Sequence, residues 1–198
     1  MTKKPLYMEA LFGLISLGLS TQVSGADLEQ VRSVKDYVIK NGEVREFYIK
    51  NAKCKSFALE LDGKEIGYQY GFGAGFGHFS PLNPIEGTTF NSSKVLIVTS
   101  ECPESKEHYD NLNVAVKDIY STKKIEGHNK IIAFTTIRDG IGGNSGLDGI
   151  IDQADVGTIP DIENKKFRVD IEDTVSRTRI QNMYDKIISS IYTLITKK

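Results

Sequence analysis

The two cysteines constrain this chain more than any other feature. Cys54 and Cys102 stand 48 residues apart, and the sequence has no third cysteine. In an exported protein an even pair predicts a disulfide; two free buried thiols are the alternative. One isolated pair with this separation offers no zinc-site spacing, and without Cys-x-x-Cys it gives no sign of redox chemistry. A bond closing so long a loop contributes a few kcal/mol through the unfolded state. It also restricts topology. Cys54 lies just before one predicted strand and Cys102 just after another. If those strands are antiparallel neighbours, the two ends coincide and the bond forms without strain.

The N-terminus predicts the export that the pair requires. Lys3 and Lys4 are followed by the apolar run Leu11 to Leu19. "TQVSGA" then places small residues at the −3 and −1 positions, as Val23 and Gly25 or as Ser24 and Ala26. The run is too short to span a bilayer, which needs about 20 apolar residues. Residues 1–26 are therefore expected to be a signal peptide, and residues 27–198 one domain, secreted or periplasmic, with no stable membrane insertion once the leader is gone. The net charge is −1, with no basic cluster, which argues against nucleic-acid partners and anionic membranes.

Asp27 to Lys40 predicts a first helix, with Leu28, Val31, Val34 and Val38 near helical spacing, Asp27 as cap and Gly42 past the end. Residues 44–50 and "FALEL" (57–61) predict strands, and Asp62-Gly63 a hairpin turn. The expected return strand runs from Glu65 to Phe79. Tyr68, Tyr70, Phe72 and Phe76 share one of its faces and glycines occupy the other, so those aromatics are a candidate binding face. Residues 81–93 read as a loop. "KVLIVTS" (94–100) and "KIIAFTTI" (130–137) read as buried strands, with a helix from Pro103 to about Lys124 between them. That order predicts a βαβ unit with parallel strands. Residues 166–172 read as a last strand. The C-terminal segment has a clear helical stripe of Ile180, Met183, Tyr184, Ile187, Ile188, Ile191 and Ile195. The expected fold is α+β: a mixed sheet of five to six strands, with the C-terminal helix packed on it.

Between the last strands lies "IRDGIGGNSGLDGIIDQADVG" (137–157), rich in glycine and aspartate. A loop of about 25 residues is long for a compact domain. Ligands tend to bind beyond the carboxyl ends of parallel strands. Glu101 and Asp139 are therefore expected at one end of the sheet. "NSGLDGIIDQAD" (144–155) resembles the calcium loop of EF-hand and dockerin proteins. The resemblance implies Asn144, Asp148, Ile150 (through its carbonyl), Asp152 and Asp155 as ligands. Gly146 departs from it by removing one ligand, and Asn144 by removing a charge. A solvated turn is the plainer reading of the same residues. "GGNSG" looks like the surroundings of the nucleophilic serine in some chymotrypsin-like proteases. That resemblance implies Ser145 as nucleophile, with His128 or His78 as base. The histidines stand in no recognisable catalytic context, and the Gly-x-Ser-x-Gly elbow fails at Leu147. The functional expectation is an exported, non-catalytic binding or interaction domain, with calcium as its one candidate cofactor. A secreted hydrolase using Ser145 is the alternative.

Overall fold

The computed structural model describes residues 25–67, 88–105, 110–122, 130–140, 146–159, 167–168 and 174–197. The expected signal peptide up to residue 24 and the aromatics Tyr68, Tyr70, Phe72 and Phe76 lie outside these residues.

Helix α1 spans Leu28–Asn41. The Asp27 carboxylate accepts from the Glu29 amide at 2.8 Å, which satisfies one of the helix's free N–H groups. Val31, Val34 and Val38 are fully buried on one side. The chain then enters strand β1 (Glu43–Ile49) and returns through β2 (Ala52–Asp62). The turn between them holds Lys50 and Asn51 at φ +47° and +73°, the left-handed pair of a type I′ hairpin.

Strands β3 (Thr88–Glu101), β4 (Leu112–Thr122), β5 (Lys130–Asp139), β6 (Gln153–Ile159) and β7 (Phe167–Arg168) follow, and helix α2 (Thr174–Thr196) ends the fold. The seven strands form one sheet in sequence order, and every neighbouring pair is antiparallel. The architecture is therefore α+β, as expected, but among the described residues the sheet is an antiparallel meander and is not mixed.

The expected βαβ unit is replaced by three antiparallel strands. The segment read as a helix from Pro103 holds strand β4, with Leu112, Val114, Val116 and Asp118 all on its buried side. A carboxylate on that side breaks the run of apolar residues at period two. Leu112, Val116, Ile119 and Tyr120 then mimic a helical stripe. Two loop expectations also shorten. Residues 88–93 belong to β3, and residues 153–159 form β6 inside the long loop.

Alternate residues of the central strands share the helix-clad side. Val95 and Ile97 of β3, Val114 and Val116 of β4, and Ile137 of β5 are at most 1% exposed. They form one cluster with the valines of α1 and with Ile180, Tyr184, Ile187, Ile188 and Ile191 of α2. Burying each isoleucine stabilises the fold by about 2–3 kcal/mol. The C-terminal helix packs on the sheet as its stripe predicts.

The disulfide joins Cys54 and Cys102, with Cα atoms 4.3 Å apart. Lys55 pairs with Glu101 across β2 and β3, so the cysteines occupy the next step of an antiparallel ladder. The strands are the antiparallel neighbours that an unstrained bond requires, with Cys54 inside β2 and not just before it. No helix among the described residues is long and apolar enough to cross a membrane.

Candidate functional site

Strands β3 and β5 end, and β4 and β6 begin, at one edge of the sheet. Register places Asp139 opposite Leu112 and Arg138 opposite Gln153. Glu101 and Asp139 thus lie at the same end, as expected, with one strand between them. Their environments differ: Glu101 is exposed and Asp139 is completely buried.

Asp139 organises the loop that follows it. Its carboxylate accepts from the Gly149 amide at 3.0 Å, the Asp148 amide at 3.3 Å and the Tyr184 hydroxyl at 2.8 Å. Burial raises its pKa to about 6, against the opposing pull of the hydroxyl and the two amides. Burial and the Asp139 charge together push the Tyr184 hydroxyl well above its ordinary range.

Gln181, fully buried on α2, grips the same loop from the other side. Its Oε1 accepts from the Ile151 amide at 3.0 Å, and its Nε2 donates to the Gly149 carbonyl at 2.8 Å and to Asp185 at 2.7 Å. Burial raises the pKa of Asp185, opposed by the Gln181 hydrogen bond. The neck of the loop is closed by the Asp152 amide donating to the Arg138 carbonyl at 2.9 Å. The Gly140 amide donates back to the Asp152 carboxylate at 2.7 Å. Leu147 and Ile151 turn inward into the core.

Two glycines permit this course. Gly140 has φ +87°, and a Cβ there would stand 2.0 Å from the Asp110 carbonyl oxygen. Gly149 has φ +84°, and a Cβ there would stand 2.3 Å from the Ala26 carbonyl oxygen. The segment before α1 therefore lies directly against the loop, and the Ala26 amide donates to the Gly149 carbonyl at 2.9 Å.

The residues expected as calcium ligands have separate engagements. Asp148 caps its own turn by accepting from the Ile150 amide at 2.8 Å, Asp152 closes the neck, and Asp155 sits within β6 at 3.8 Å from Arg138. Ile150 is half-buried. Among the described residues no group of three or more His, Cys, Asp or Glu could hold a metal ion. Asn144, Ser145, His78 and His128 lie outside the described residues.

Gln181 and Tyr184 form half of this arrangement. Tyr184 reads from sequence as one more apolar-stripe residue, and Gln181 carries no motif. The available signal is a polar residue set between Ile180 and Met183 on a buried stripe, where its amide needs internal partners. A comparison of the chain with protein-family models, curated proteins and solved structures finds no match.

Proposed function

We propose that this chain is an exported, disulfide-tied, non-catalytic binding domain that engages its ligand through the face of its sheet opposite the two helices. The carrying observation is the contrast between the two faces. Both helices pack on one. The other presents Leu96, Val98, Ala115, Ile119, Ile132 and Phe134, all half-buried side chains, among charged neighbours such as Lys94 and Lys117. Apolar side chains with a charged surround suit protein or ligand contact. The disulfide supports the export half of the reading.

The buried cluster supports the non-catalytic half. Asp139, the described carboxylate with the strongly raised pKa, has no exposed surface and is bonded to its own loop and helix. A buried group held in this way serves as a clamp and presents nothing to a substrate. The candidate aromatics Tyr68, Tyr70, Phe72 and Phe76 follow directly on the turn after β2, and we include them in the proposed binding region.

A photo-crosslinking amino acid placed at Leu96, Ala115 or Phe134, with Glu29 of α1 as control, tests the reading. The expected result is a discrete adduct from the sheet positions and none from Glu29. Equal labelling from both faces would overturn it. So would an ester- or peptide-cleaving activity abolished by Ser145→Ala.

A further inference from the structure

The junction between the expected leader and the domain is part of the fold. Ala26 is half-buried and packs against the core cluster, and its amide bonds the Gly149 carbonyl. A Cβ on Gly149 would meet three Ala26 backbone atoms, at 2.3, 3.2 and 3.3 Å, so the space for one is filled by Ala26. Gly25 is equally close: a Cβ there would stand 2.8 Å from both the Gly149 carbonyl oxygen and Ile150 Cγ1.

The sequence allows a leader to be cut after Gly25 or after Ala26. A cut after Ala26 would remove the residue that Gly149 is shaped to receive, and with it one of the two donors to the Gly149 carbonyl. A cut after Gly25 keeps both. The geometry points to processing between Gly25 and Ala26, with the new α-ammonium of Ala26 docked on the Gly149 carbonyl as a permanent part of the clamp. This inference rests on the export reading. The step is hydrolysis by a leader endopeptidase: water adds across the Gly25–Ala26 amide, the carboxylate leaves with the leader, and the freed amine of Ala26 takes up a proton.

The cut changes the chemistry of the contact. An amide N–H becomes a cationic donor, and charge-assisted hydrogen bonds are the stronger kind. The cation stands one residue from the buried Asp139 carboxylate, because Gly149 accepts from Ala26 through its carbonyl and donates to Asp139 through its amide. Removal of the leader therefore strengthens the network that holds the loop.

Two measurements test this. The first is intact mass with N-terminal sequencing of the protein recovered after expression of the full chain. The expected first residue is Ala26. Export with a different first residue overturns the inference and leaves the export reading standing; a chain recovered with residues 1–25 still attached overturns both. The second compares melting temperatures of chains beginning at Ala26, at Nα-acetylated Ala26 and at Asp27. Acetylation is expected to lower Tm by about 3 °C, and an unchanged Tm would refute the role of the charge. Gly149→Ala should lower Tm more in the chain beginning at Ala26 than in the one beginning at Asp27. In the shorter chain the positive-φ strain remains but the Ala26 collision is gone. Equal losses would refute the contact.

Discussion

Two aspartates, Asp118 and Asp139, are completely buried on the same side of the sheet, and the hydrogen bonds they accept from Ser93 and from the 146–152 loop reach different parts of the fold. Asp118 pairs with Ala133 and Asp139 with Leu112, so about 20 Å of β5 separates the two positions. Asp118 accepts from the hydroxyl of Ser93, its direct cross-strand neighbour, and this bond stays within the sheet. Asp139 accepts from two loop amides and a helix hydroxyl, and it ties the loop and helix α2 to the strand end. A buried carboxylate within the ladder reinforces pairing that the backbone already provides. One at a strand end can dictate the path of everything that follows it.

Replacement of each carboxylate by alanine should expose that difference most strongly. Asp139→Ala leaves two amides and one hydroxyl buried without their acceptor, and is expected to cost about 4 kcal/mol, since each orphaned donor costs about 1–3 kcal/mol. In Asp118→Ala the part of the loss owed to the Ser93 bond is expected to be about 1–2 kcal/mol, because the Ser93 hydroxyl can rotate toward another acceptor and a backbone amide cannot. Urea unfolding at neutral pH measures both, and equal losses would erase the distinction.

The next effect is pH dependence. Asp139 has a folded-state pKa of about 6, above its ordinary value near 4. The folded state thus binds the proton more tightly than the unfolded one. This group's contribution is most favourable below about pH 4, declines as pH rises toward 6, and is constant above that. The total decline is about 3 kcal/mol. Asp139→Asn should flatten that step.

Much of this fold was legible from residues alone, and the gaps share one cause. Period-three-and-four spacing located α1 and α2, and alternating or continuous apolar runs located β2, β3 and β5. The cysteine pair made antiparallel pairing of β2 and β3 the arrangement that would close the disulfide without strain, and the two strands do pair that way. Strands β4 and β6 were missed where polar residues entered them. Asp118 sits on the buried side of β4, and Asp155 and Gly157 gave β6 the composition of a loop. In each case a partner distant in sequence, Ser93 for Asp118 and Arg138 for Asp155, makes the polar residue acceptable. The sequence places a candidate site on the loop from Arg138. Its clustering of aspartate and glycine showed there, but the grip of Gln181 and Tyr184 did not, because it depends on how α2 lies across the sheet.

Smaller substitutions on α2 divide the clamp into parts. Gln181→Leu removes the acceptor of the Ile151 amide and one donor to the Gly149 carbonyl, and is expected to cost about 2 kcal/mol. Cleavage of residues 146–152 by an added protease should rise with it, since the loop loses its hold from above while Asp139 keeps its own. Tyr184→Phe is the mildest test and the most specific. It removes one hydroxyl and leaves the ring in the core, so about 1 kcal/mol is expected at neutral pH. The lost hydrogen bond favoured the ionised carboxylate. Its loss should therefore raise the Asp139 pKa further, extend the declining part of the stability profile to higher pH, and have little effect below pH 4, where Asp139 is already protonated. A loss of the same size at every pH would mean that the hydroxyl supports packing and not the charge.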